Sequence, residues 1–165
     1  MAIGGRLHTC DVRREQARTR VMSRWKRGPL MAVPFLACMV ATAAFYHLPP
    51  RVLPSIQAVE GGYVGAIHRN MDGTEDYGLM QVNTRWLAPI ARYIGAAPET
   101  VRARLIGEPC FSIAAAGAIM RTYLDEAGGN LMLAIGYYHS HTPTLNQEYQ
   151  VRVRSSAARL FGSPR

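Results

Sequence analysis

Acidic side chains, cysteines and internal repeats are all scarce in this 165-residue chain. Eleven Asp and Glu stand against nineteen Lys and Arg, for a formal net charge of +8. The excess is local. Residues 1–45 hold eight basic and two acidic side chains, whereas residues 46–165 hold eleven and nine. With little net charge beyond the leader, no basic patch interleaved with aromatics and no binding motif, nucleic acid is excluded as the expected partner. The mild positive balance suits an anionic polymer. The absence of repeats excludes a repeat array, and the length suits one domain with appendages. Three cysteines, Cys10, Cys38 and Cys110, are too few for a disulfide framework. Removal of a leader would leave Cys110 alone. With no base beside it in sequence, it is expected to be a buried structural thiol at a helix start. His139 and His141 lack further ligands at zinc spacing, so no metal and no cofactor are expected.

Long apolar runs are scarce too. One uncharged stretch, Gly28 to Tyr46, follows Arg24-Trp25-Lys26-Arg27. A basic front, an apolar middle and the small residues Ala41-Thr42-Ala43 are the parts of an export signal, with cleavage expected near Ala43 or Ala44 and a periplasmic destination. The alternative is an uncleaved membrane anchor, because about 19 apolar residues just span a bilayer. Phe35-Leu36-Ala37-Cys38 is a weak lipidation pattern, spoiled by its bulky aromatic. Residues 1–21 are unusual ahead of a signal, which makes Met22 an alternative start. The expected organisation is a leader over 1–45, a domain over 46–160 and a tail over 161–165.

Inside the expected domain, Pro54 opens a short helix that carries Ile56, Val59 and Glu60 on one face and stops at Gly61-Gly62. Helical periodicity then disappears from Tyr63 to Asn83. Asn70, Asp72-Gly73 and Gly78 supply the turn chemistry of a small hairpin. Helices are expected again over 84–94, with Trp86, Leu87, Ile90 and Ile94 inward and a bend or split at Pro89, and over 98–106. Ile113, Gly117, Met120 and Leu124 mark a central helix over 111–126. Leu131 to His139 is another, and Leu145, Tyr149, Val153 and Ala157 mark a last amphipathic one.

The segment that carries chemistry is Glu60 followed by Asn70-Met71-Asp72-Gly73-Thr74-Glu75-Asp76-Tyr77-Gly78-Leu79-Met80-Gln81-Val82-Asn83-Thr84-Arg85-Trp86. From Asn70 to Trp86 it resembles the c-type lysozymes. It is equally similar to the lytic transglycosylases of the SLT type, in which Gly-Leu-Met-Gln-(Ile/Val)-Asn follows the catalytic Glu. The resemblance runs on to Tyr138-His139-Ser140 and covers roughly residues 50 to 150. It implies an α+β, predominantly α-helical, lysozyme-like domain with a small β-hairpin between helices. Glu60-Gly61-Gly62 in place of Glu-Ser, and His139-Ser140-His141 in place of Asn-Ala-Gly, resemble the subgroup associated with secretion and conjugation machines.

Cleaving a β-1,4 glycosidic bond needs an acid still protonated near neutral pH while positive charge builds on the ring carbon. Glu60 is the candidate, because burial without a cationic partner raises a carboxyl pKa. The resemblance implies that Glu60 acts as acid and then base, yielding a 1,6-anhydro product from peptidoglycan glycan strands. It implies that Tyr138 hydrogen-bonds Glu60 or the N-acetyl group, and it places His139 among the sugar contacts. Gly78 would let backbone approach the sugar, Met80 would form an apolar wall, and Gln81 and Asn83 would offer amides. Asp76 falls where lysozymes carry their second carboxylate, which leaves hydrolysis as an alternative; Asp72 and Glu75 are weaker candidates. A non-catalytic wall-binding module is the third reading. An envelope-spanning secretion or conjugation machine is the expected larger partner, and membrane contact is expected only through an uncleaved N-terminal segment.

Overall fold

A computed structural model describes residues 33–162. The expectations for Cys10, Met22 and the basic run at 24–27, and for the end of the tail over 163–165, lie outside the described residues. Seven α-helices and a three-stranded antiparallel sheet make up the described chain: α1 Leu36–Phe45, α2 Val52–Glu60, β1 Ile67–Arg69, β2 Glu75–Tyr77, β3 Val82–Asn83, α3 Leu87–Ile94, α4 Pro98–Gly107, α5 Pro109–Glu126, α6 Leu131–His139 and α7 Pro143–Phe161. The fold is predominantly α-helical α+β, as the sequence implies.

The central helix α5 buries Ile113, Ala116, Ile119 and Met120 and gathers the other helices around it. Its Gly117 lies on the expected inward stripe because α1 crosses there. A Cβ on Gly117 would sit 2.3 Å from the Thr42 methyl and 2.8 Å from the Tyr46 ring. Gly136 does the same for α6 and α7, since the Asn146 side chain fills the space a Cβ would need. Asn146 Nδ2 donates to the Ser140 carbonyl at 3.2 Å, which fixes α7 against the end of α6.

The polar stretch after α2 folds as the sheet, in the order β1-β2-β3. Asp76 stands opposite His68 on one side and Asn83 on the other. Gly73 takes positive φ in the β1–β2 turn, where Asp72 accepts from the Thr74 backbone N–H at 3.0 Å. A 3-10 turn, Thr84–Trp86, precedes α3, so Pro89 falls in the first turn of that helix, where its missing N–H costs nothing. Of the bend or split expected at Pro89, the split occurs, upstream of the proline. Ile94, expected inward, is exposed, and Ala91 takes the buried position on α3.

The leader expectation needs correction. Leu36–Phe45 is a helix of the folded body, with Met39 and Ala43 at 0% and 1% exposure. Cleavage at Ala43 or Ala44 would remove most of a core helix, and a bilayer anchor would pull that helix out of its packing. The domain therefore starts ahead of residue 46. Cys110 is not a lone thiol: it forms a disulfide with Cys38 across 72 residues of sequence, with 5.5 Å between their Cα atoms. Cys38 is accordingly not a lipid attachment point. The pairing was hidden in the sequence by the assumption that Cys38 leaves with the leader.

Candidate active site

Helix α2 ends at Glu60 because Gly61, at φ +66°, turns the chain and donates its N–H to the Gln57 carbonyl at 2.9 Å. Gly62 then backs against the β2–β3 turn, where a Cβ would lie 2.4 Å from the Gly78 carbonyl oxygen. This contact brings the acid beside the sheet. A groove of about 510 Å³ opens between the sheet and the helices, and Glu60, Asp76, Gln81, Asn83, Tyr138 and His139 all line it. Six of the eight residues expected from the sequence thus share one cavity.

Gly78 and Met80 do not line it. Gly78 is buried with positive φ, and a Cβ there would sit 1.8 Å from the Leu105 carbonyl oxygen, so glycine is required by α4 rather than by a sugar. Met80 is 0% exposed in the core; its N–H donates to Ser112 Oγ at 3.2 Å and its carbonyl accepts from Tyr138 Oη at 2.9 Å. Tyr138 therefore does not hydrogen-bond Glu60. That place belongs to Tyr149 of α7, whose buried hydroxyl donates to Glu60 Oε1. The sequence placed Tyr149 on the inward stripe of its helix but gave it only a packing role. The Gly136 and Asn146 pair, which lets α7 approach closely, was the available signal.

Burial holds the Glu60 carboxyl above the ordinary Glu range. The hydrogen bond from Tyr149 works against this, the negative charge of Asp76 adds to it, and Arg152 opposes it. The C-terminal end of α2, with its partial negative charge, further disfavours a carboxylate at that position. Burial also raises the Tyr149 hydroxyl well above its usual value, followed by the charge of Glu60, so this donor is neutral at all ordinary pH.

Asp76 is half-buried, and both of its oxygens are occupied. Asn70 Nδ2 donates to Oδ2 at 2.9 Å and Asn83 Nδ2 donates to Oδ1 at 2.7 Å. Asn83 also donates to Thr74 Oγ1 and accepts from the Arg85 backbone N–H, so its amide organises the site rather than standing free for a sugar. Gln81 adopts φ +49°, and its Nε2 donates to the Gly78 carbonyl at 2.8 Å. Strand alternation sends Glu75 to the opposite face from Asp76. There it accepts from the Tyr77 hydroxyl at 2.8 Å and pairs with Arg69 at 3.2 Å, away from the groove. Asp72 reaches the groove but is tied into its own turn through Thr74.

His139 lies flat on the Tyr149 ring, with centroids 5.0 Å apart and planes 8° from parallel. His141 bonds Glu126 at 2.9 Å and stacks on Tyr137. Among the described residues no group of three His, Cys, Asp or Glu is placed to hold a metal ion.

Residues 37–158 match the model of the transglycosylase SLT domain. The chain belongs to that family. The SLT match begins within α1, one residue before Cys38, and so includes the helix that the sequence reading assigned to a leader. The SLT chain is also similar to Protein IpgF of Shigella sonnei and of Shigella flexneri. Each is 26% identical over 144 residues, covering 85% of this chain and 91% of the relative.

Proposed function

We propose that this SLT domain is a lytic transglycosylase that breaks the β-1,4 bond between MurNAc C1 and GlcNAc O4 of peptidoglycan without water. Glu60 gives its proton to O4 as the C1–O4 bond breaks. The resulting carboxylate then takes the proton of the same MurNAc unit's 6-hydroxyl as that oxygen bonds to C1, closing a 1,6-anhydro ring and restoring the acid. An attacking group already attached to the substrate has a high effective concentration. One observation carries the reading: the Glu60 carboxyl faces the groove with its pKa raised by burial, and a neutral donor orients it. Asp76 supports it as a fixed negative charge, its oxygens already engaged by two asparagine amides.

Mass spectrometry of peptidoglycan digested by the purified protein tests this. Anhydro-muramic ends are expected. Reducing ends would transfer the assignment to a hydrolase using Asp76 as its second carboxylate, and binding without cleavage would make the domain a wall-recognition module.

The proposal includes export, since the substrate lies outside the inner membrane and the Cys38–Cys110 bond suits an oxidising compartment. Any leader cleavage then falls ahead of α1. A role in opening the wall for a secretion or conjugation apparatus is the corresponding larger function, and it rests on the resemblance at Glu60-Gly61-Gly62 and His139-Ser140-His141 alone.

A further inference from the structure

His139, expected only among the sugar contacts, also packs on the residue that holds the acid. It ends α6 exposed at the groove, yet its ring is laid parallel on Tyr149, the residue whose hydroxyl holds Glu60. The guanidinium of Arg152 lies 5.9 Å from the centre of the same Tyr149 ring, and its Nη2 reaches the Val59 carbonyl at 3.5 Å, next to the acid. His139 and Arg152 thus both lie against the ring of the tyrosine that is bonded to Glu60. We propose that His139 is a positioning residue for the acid: its neutral ring keeps the Tyr149 hydroxyl on Glu60, and its protonation stops cleavage on the acid side by adding positive charge beside the reaction centre.

The groups facing His139 set the sign. Burial, then the positive charge of Arg152, disfavours the imidazolium, while Asp76 on β2 and Glu148 on α7 favour it; the net shift is downward. His139 is therefore neutral at pH 7 and gains its proton below the ordinary histidine range. Glu60 and Tyr138 line the same groove, and Tyr149, whose hydroxyl is neutral, lies against the His139 ring. Cleavage builds positive charge on the sugar ring in the same groove. A protonated His139 beside it opposes that charge, and together with Arg152 it also favours the ionised form of Glu60. Deprotonation of Glu60 limits the reaction and protonation of His139 opposes it, so activity follows a bell whose two limbs belong to this pair.

The inference rests on the transglycosylase reading, and two measurements separate their failures. The first is the rate of anhydro-muropeptide release from about pH 4 to about pH 8 for the wild type, His139→Phe and His139→Ala. Expected are a bell for the wild type, a fall of about tenfold in kcat with little change in KM for His139→Ala, and for His139→Phe a profile that lacks the acid limb and a neutral-pH kcat at least about threefold above that of His139→Ala. An acid limb that persists in His139→Phe, or a loss in His139→Ala confined to KM, overturns the proposal. The second is a carbon-13 titration of the Glu60 carboxyl without substrate. A second inflection that is present in the wild type and absent from His139→Phe is expected, and identical single inflections overturn the proposal. If the wild type releases no muropeptides while the two inflections are seen, the transglycosylase reading fails and the link between His139 and Glu60 stands.

Discussion

At the level of single residues, the site depends on a carboxyl whose surroundings favour its protonated form. The folded pKa of Glu60 lies above its unfolded value, so the native state binds this proton more tightly. The stability it contributes is full below the ordinary Glu pKa of 4.5 and is lost as pH rises through the raised folded value. Each pH unit between the two values costs about 1.4 kcal/mol on the alkaline side. Glu60→Gln should therefore flatten the dependence of Tm on pH and raise Tm at neutral pH, while lowering muropeptide release by at least about 10²-fold. Normal turnover in Glu60→Gln would remove it from the acid role. Tyr149→Phe deletes a bond that lowers the Glu60 pKa, so the alkaline limb of the rate profile should move to higher pH and kcat should fall about tenfold. An unmoved limb would show that the hydroxyl does not act on Glu60.

At the level of elements, what the sequence revealed depended on how local the cause was. The turn after α2, the hairpin around Asp72-Gly73 and the stripe of α5 all follow from residues within a few positions, and they stand where periodicity and turn chemistry place them. The role of Gly78 was not local. Its reason is the Leu105 carbonyl of α4, 27 positions away. Gly78→Ala, strained at positive φ and short of space, should cost at least about 2 kcal/mol by urea denaturation, and a smaller loss would mean that α4 can shift. Helix α1 differs from the leader expected there for a related reason, since composition alone does not tell an apolar core helix from a leader. Tyr138 and Tyr149 present the same difficulty, because both are inward tyrosines and only the close docking of α7 on Gly136 decides which one meets Glu60.

At the level of the whole molecule, Trp86 and Ile119 form a wall common to the Glu60 groove and to a second, apolar cavity of about 350 Å³ between α3 and α5. Trp86 is held there edge-on to Tyr123, with ring centroids 5.7 Å apart. Trp86→Ala should cost about 3 kcal/mol and also raise KM, since the two cavities would merge. A stability loss with unchanged KM would separate the wall from substrate binding. The Cys38–Cys110 bond closes the first half of the fold. On chain-entropy grounds a loop of that length contributes roughly 4 kcal/mol, so Cys38→Ser should lower Tm markedly; an unchanged Tm would argue that packing alone holds α1.

That covalent ring also encloses the hairpin tip at Met71, the most exposed large apolar side chain of the described fold. A protease that nicks the backbone there leaves two fragments still fastened to each other, each retaining its share of the groove. Damage at the most accessible point is thus converted from loss of a piece into a local gap, visible as one band on a non-reducing gel and two once a thiol is added.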